Sequence, residues 1–198
     1  VEALCLAVPF LRQGDYVVPE GAENTYAAGV RMFYQELVQC AALRQTENQA
    51  LVAVGHLQAV GSEIAEKDYS ERTIIGGLEC VSPDVFDERI AYTALGHIHK
   101  AQRVSGKEHV RYAGSPLPMS FAERNYHHGA VLVSLADGKL QYIEKLPYHP
   151  LVSLLSVPSG EAVSPGEVLE LLSSLPPREE ELPAPYLEIK VLLAEPEP

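Results

Sequence analysis

From Tyr26 onward, apolar residues recur at three- and four-residue steps through Val30, Phe33, Leu37 and Cys40. This is the stripe of an amphipathic helix, predicted over about Thr25 to Arg44. Ahead of it, Leu4 to Val8 reads as an apolar strand ending in Pro9-Phe10-Leu11-Arg12, and a loop rich in turn formers runs to about Asn24. Compact β-type runs follow the helix: Leu51 to Val54 stops at Gly55-His56, Arg72 to Ile75 at Gly76-Gly77, and Ile90 to Leu95 at Gly96-His97. Val110 to Ala113, Ala130 to Leu135 and Leu140 to Leu146 then read as antiparallel strands closing a sheet, with Asp137-Gly138 as the hairpin turn between the last two.

The composition changes across Pro147 to Pro150, which suggests a boundary between a first unit, residues 1–149, and a second, 150–198. Ser164-Pro165-Gly166-Glu167 reads as an N-cap, a proline at the first helical position and a capping-box Glu, opening a helix to about Leu175 that Pro176-Pro177 ends. The acidic, proline-rich Arg178 to Pro185 reads as a linker, and Tyr186 to Leu193 as a strand. One helix and one strand cannot bury a core alone, so the second unit is expected to be the start of a small, truncated α+β domain. The chain opens at Val1, inside an apolar strand, as a fragment would. Strands alternating with helix make the expected class α/β.

Composition narrows the function. A 46% apolar content excludes wholesale disorder, while short apolar runs and the lack of a secretory start lead us to expect a soluble, cytoplasmic protein. Cys5, Cys40 and Cys80 are far apart with no C-x-x-C spacing, so they are expected to be buried thiols rather than zinc ligands or disulfides. The net charge of -12 mildly opposes nucleic-acid binding, although nine Glu against two basic residues fall in 160–198.

The chemistry gathers at the strand ends. Two predicted strands finish in Gly-His, and the second continues as Gly96-His97-Ile98-His99. Strand ends beside glycines are where α/β proteins place ligand-binding groups. In an extended segment His97 and His99 would point to the same side, with Cα atoms roughly 6.5 Å apart, and so reach two metals about 3.5 to 4 Å apart. Ile98 would face the core, and the glycines would let metal, water and phosphate approach the main chain. A single Gly-His at a strand end is more often an ordinary loop histidine; three such histidines in order favour a metal site.

The remaining histidines invite blander readings: His109 in a polar turn, His127 and His128 in a loop, and His149 at the boundary all read as surface residues. Glu79, Asp84, Asp87 and Glu88 read as a solvated face. Phosphate-binding, dinucleotide-binding and serine-nucleophile motifs are absent. Lys100, Arg103 and Arg111 adjoin the histidines and are weak candidates for contacts to DNA phosphates.

At its histidines the sequence resembles the calcineurin-like metallophosphoesterase superfamily, whose later motifs are Gly-His and Gly-His-x-His. Within that superfamily it is more similar to the SbcD nucleases. Val8 to Arg12, Gly55-His56-Leu57, Gly76-Gly77-Leu78-Glu79, Tyr92 to Lys100 and Val110 to Glu123 (VRYAGSPLPMSFAE) resemble segments of that family in the same order. The resemblance implies part of a four-layer αββα sandwich followed by the start of a DNA-positioning capping domain. It also implies two divalent metals, Mn²⁺ by the family's habit, with His56 and His97 on one and His99 on the other. The family's earlier motifs, an Asp-x-His, a Gly-Asp and an Asn-His carrying the catalytic histidine, have no counterpart here and would lie upstream of Val1. No catalytic residue is therefore assigned within this chain, which is expected to be inactive alone.

The activity so implied is an ATP-coupled exonuclease on double-stranded DNA ends and an endonuclease on hairpin or single-stranded DNA, serving recombination, repair and replication. The implied partners are an SbcC-like coiled-coil ATPase and a second copy of the full-length protein. Two rivals remain: a metallophosphoesterase for small phosphodiesters, which would share the histidines but not the VRYAGSPLPMSFAE segment, and a non-catalytic interaction module.

Overall fold

The computed structural model describes residues 3–62, 80–177 and 183–193. In chain order its elements are β1 (Ala3–Ala7), α1 (Thr25–Ala42), β2 (Ala50–His56), β3 (Gln58–Ala59), β4 (Cys80–Val81), β5 (Tyr92–Gly96), β6 (Gln102–Val104), β7 (Lys107–Tyr112), β8 (Gly129–Ala136), β9 (Lys139–Pro147), β10 (Leu154–Val157), α2 (Pro165–Ser173) and β11 (Tyr186–Ile189). The expected strand at Arg72 to Ile75 and the Gly76–Glu79 segment fall outside the described residues, as does part of the predicted linker.

A mixed α/β fold results. Its central sheet has five strands in the order β1-β2-β5-β7-β6. The first four run parallel, and β6 is antiparallel to β7. Parallel neighbours need a crossover connection, which α1 supplies between β1 and β2. Asn24 caps the helix by accepting the Ala27 N–H at 2.9 Å. The stripe that α1 buries is Val30, Tyr34, Val38 and Ala41, while Tyr26, Phe33 and Leu37 lie at its margin. This line is turned from the predicted one, and Cys40 ends on the solvent side. Cys5 is exposed on the edge strand β1 and Cys80 is half-buried, so the expectation of buried thiols fails. A thiol is small enough for the wet face of an amphipathic element.

The core continues through Leu51, Ala53, Leu95, Val104 and Val110 on the sheet and Leu57, Val85, Phe86, Ile90 and Ile98 on its connections. The hairpin forms where predicted, with Asp137 and Gly138 at φ of 51° and 73°. It does not close the main sheet: β8 and β9 make a separate two-stranded sheet, while β7 pairs parallel to β5. Antiparallel hairpin periodicity was legible, but which sheet a strand joins is set by non-local pairing.

The later unit holds one strand more than expected. β10 pairs parallel to β11 across α2, giving a βαβ unit rather than one helix and one strand. The capping box on α2 is present: Glu167 Oε2 accepts from Ser164 N at 3.0 Å, and Ser164 Oγ accepts from Glu167 N. Among the described residues no helix is long and apolar enough to cross a membrane.

Two buried tyrosines tie this frame together in opposite ways. Tyr112 donates its phenol to the Leu57 carbonyl at 2.8 Å and accepts from the Ala59 N–H at 2.8 Å, fastening β7 to the loop after His56. The Tyr34 hydroxyl is buried with no hydrogen-bond partner among the described residues, and burial pushes its pKa well up. Removing the Tyr112 hydroxyl strands two buried backbone groups, whereas removing that of Tyr34 strands none. Urea unfolding should therefore find Tyr112→Phe less stable by about 2 kcal/mol and Tyr34→Phe within about 1 kcal/mol of the parent or above it. Equal losses would refute the assignment.

Candidate metal centre

The sheet register brings the histidines together. In the parallel pairing of β2 with β5, His56 lies opposite Gly96, so His97 begins the loop beside the end of β2. The His56 and His97 rings meet edge to face with centroids 5.3 Å apart, and Phe10 packs against the other flank of His56 at 6.0 Å. Burial, helped by the neighbouring His56 and His99, pulls the His97 pKa below its ordinary value, which favours the neutral imidazole a metal requires.

His97 is not extended. Its φ of 102° lies in the left-handed region that an L side chain rarely adopts, at a cost of about 1 to 3 kcal/mol. The chain therefore turns between His97 and His99, and the expected two-residue alternation does not hold. Ile98 does face the core, 2% exposed.

The glycines before the histidines are needed for packing, which differs from the expected approach of ligands to the main chain. A Cβ at Gly96 would stand 2.9 Å from His56 Nδ1, and one at Gly55 would collide with the Tyr34 hydroxyl. Each glycine leaves space for a ring from a neighbouring element.

His99 is directed elsewhere. Its Nδ1 lies 2.8 Å from Oε1 of Glu123, whose side chain is fully buried. Oε2 of Glu123 accepts from the Met119 N–H at 3.0 Å and from the Ser115 hydroxyl at 3.2 Å. The Ser115 N–H in turn donates to the His99 carbonyl at 2.9 Å. Gly114, at φ of 82°, is where a Cβ would press on the His99 carbonyl and the Ala101 N–H, each 2.8 Å away. His128 closes the group. Its Nε2 lies 3.1 Å from the Glu123 carbonyl and its Nδ1 3.1 Å from the Ser115 carbonyl.

Much of the VRYAGSPLPMSFAE segment is thus the support behind the histidines. Tyr112 holds the His56 loop, Gly114 and Ser115 hold the His99 backbone, and Glu123 holds the His99 ring. Glu123 was missed as a single residue because one Glu in a loop carries no periodic signal. His128 is a buried clamp, 7% exposed, where a surface residue was expected. His109 lies half-buried in β7 rather than in a turn, and burial together with Lys107 lowers its pKa. His127 and His149 are exposed as expected. Of the expected acidic face Glu79 lies outside the described residues; Asp84 meets Lys107 at 3.0 Å, and Asp87 meets Arg89 at 2.8 Å, the Arg89 hydrogen bond holding its pKa at about 2.

Lys100, Arg103 and Arg111 come together with Lys145 around a cavity of about 390 Å³, to which the hairpin contributes the unforeseen lysine. Glu108 pairs with both arginines.

The donor set fits metal binding. Imidazoles gather at the strand ends, and a carboxylate behind an imidazole is the usual company of a metal-ligating histidine. Among the described residues no three His, Cys, Asp or Glu side chains converge on one point, so these histidines do not complete a cage by themselves.

A mostly parallel α/β sheet with clustered histidines at its strand ends defines a metallophosphoesterase-like fold. Over 181 residues the chain is 35% identical to the SbcD subunit of nuclease SbcCD from Rhodobacter capsulatus, covering 88% of this chain and 43% of the relative. It is 33% identical over 169 residues to the protein of the same name from Escherichia coli K12, covering 82% and 41%. The Bacillus subtilis protein of that name is 33% identical over 90 residues, covering 44% and 22%. No protein-family model matches the chain. The chain belongs to the SbcD family, and it spans less than half the length of these curated relatives.

The two glycines give a direct check on the packing. Gly55→Ala should destabilise the fold by about 1 to 3 kcal/mol through overpacking against Tyr34. Gly96→Ala should spare stability by comparison and shift the His56 ring signals in histidine-labelled NMR spectra. An unmoved His56 would show that Gly96 is not its seat.

Proposed function

We propose that this chain supplies the histidine half of a two-metal centre that hydrolyses DNA phosphodiesters. The observation that carries the reading is the His56–His97 ring pair beside a third histidine held by a buried carboxylate, in a chain whose relatives bear the name nuclease. His56 and His97 would hold one ion and His99 the other, and the mixed histidine and carboxylate chemistry suits Mn²⁺. Bound there, the ions supply Lewis acidity and an activated water for in-line displacement at phosphorus.

This chain's own contribution is to place the imidazoles rigidly. The pairing of β2 with β5 brings His56 and His97 together, the turn at His97 sets its ring edge to face with that of His56, and Glu123 sets His99. Lys100 and Lys145, with Arg103 and Arg111, would take backbone phosphates of the substrate. Glu108 already neutralises part of the arginine charge. The carboxylate ligands and the proton-transfer histidine are not assigned to any residue here.

The wider reading follows the relatives' name, which makes them one component of a nuclease called SbcCD. We extend to this protein assembly with an SbcC-like coiled-coil ATPase, homodimerisation of the full-length chain, and ATP-coupled cutting of double-stranded ends and hairpins in DNA recombination and repair, in the cytoplasm. The later βαβ unit would begin the DNA-positioning cap.

In the intact protein, His56→Asn, His97→Asn and His99→Asn should each lower Mn²⁺-dependent cleavage of a hairpin DNA by about 100-fold or more, by analogy with losses of single electrostatic catalytic contacts. The 198-residue chain alone should bind Mn²⁺ weakly and cut nothing. Full activity in all three variants, or robust cleavage by the isolated chain, would overturn the proposal. Lys100→Ala and Lys145→Ala should each reduce the slope of log affinity against log salt by roughly 1, read by fluorescence anisotropy on labelled duplex. An unchanged slope removes these lysines from the DNA path.

A further inference from the structure

Glu123 is the least expected residue in the molecule: an acidic side chain with no exposed surface. Taking a carboxylate out of water costs several kcal/mol unless donors replace the lost hydration. Donors from the preceding turn and the ring of His99 face its two oxygens. Oε2 receives the Met119 N–H and the Ser115 hydroxyl, both in the turn leading to Glu123 itself. Oε1 faces the His99 ring at 2.8 Å. The turn serves the first oxygen, while the second faces a ring 24 residues away in the sequence.

We infer that Glu123 is a positioning residue: by accepting a hydrogen bond from the Nδ1–H of His99 it commits the ring to the tautomer whose Nε2 is unprotonated and directed to a metal ion. The inference rests on the proposed metal role of His99 and adds a partner outside the ligand set. Where Oε1 accepts, Nδ1 must donate, and a neutral imidazole has one proton to give. The choice between its two nitrogens is thereby made by the fold before any ion arrives. The Ser115 N–H on the His99 carbonyl and the close passage of Gly114 hold the backbone, so the ring has little freedom to turn away.

The division of the oxygens makes glutamine informative. In Glu123→Gln the turn still needs an acceptor for the Met119 N–H, so the amide oxygen belongs at the Oε2 position. The amide NH₂ then faces His99 Nδ1, which must accept, and the ring proton moves to Nε2, where it blocks coordination. The turn survives and the tautomer reverses.

The test uses the intact, metal-free protein with ¹⁵N-labelled histidines at a pH where imidazoles are neutral. Long-range ¹H–¹⁵N spectra read the tautomer, and His99→Gln assigns the signal. The parent should show His99 with its proton on Nδ1, and Glu123→Gln should show it on Nε2. The glutamine variant should also lose about 10- to 100-fold in Mn²⁺ affinity by calorimetry, at a melting temperature near that of the parent.

A proton on Nε2 in the parent would overturn the assignment, whether or not the variant folds. So would an unmoved tautomer and unchanged Mn²⁺ affinity in Glu123→Gln while His99→Gln loses Mn²⁺. If His99→Gln leaves Mn²⁺ binding intact, the metal role of His99 fails, whatever Glu123 does to the ring.

Discussion

A carboxylate sealed from water must be matched donor for donor, and the Glu123 side chain imposes that condition on residues from 99 to 128. Met119 and Ser115 have to stand where Oε2 can accept from them, and His99 where Oε1 can. His128 then braces the backbone of the same turn from the other side. Together these contacts replace hydration that the buried carboxylate has lost. The segment after β7 is consequently a rigid support for one imidazole.

The sheet performs the corresponding task for the other two histidines. Parallel pairing delivers the ends of β2 and β5 to the same edge, and the register sets His56 against Gly96. Space at that edge is short. Glycine stands at 55 and at 96 because a ring from elsewhere occupies the position of its missing side chain. His97 takes up the remaining mismatch in its own backbone, at a φ otherwise left to glycine. Local strain at one residue is tolerated because the strand behind it and Ile98 in the core over-determine its position.

Charge enters at shorter range than the net value suggests. A chain of net charge -12 would repel DNA as a whole, yet with a screening length of about 8 Å at physiological salt a polyanion responds to nearby groups. Lys100, Lys145 and two arginines share one cavity just after His99, while the glutamates concentrate toward the other end of the chain. Glu108 between the arginines limits their pull and keeps them in place.

Periodicity and turn chemistry were enough to locate α1, the hairpin at Asp137-Gly138, the capping box of α2 and the Gly-His strand ends, because each of these depends on residues a few positions apart. The order VRYAGSPLPMSFAE already pointed to the family, and the relatives agree. Physical meaning for that order came only with tertiary contacts: Tyr112 reaches back to Leu57 and Ala59, and Glu123 to His99, across separations that leave no spacing to read. The same limit explains the rotated stripe of α1, the exposed Cys5 and Cys40, the buried His128 and the separate hairpin sheet. Which face a helix buries, and which strand a β-run joins, is decided by the partner it meets. The three histidines were therefore visible in the sequence as candidate ligands, while the turn at His97 and the carboxylate behind His99 belonged to the fold alone.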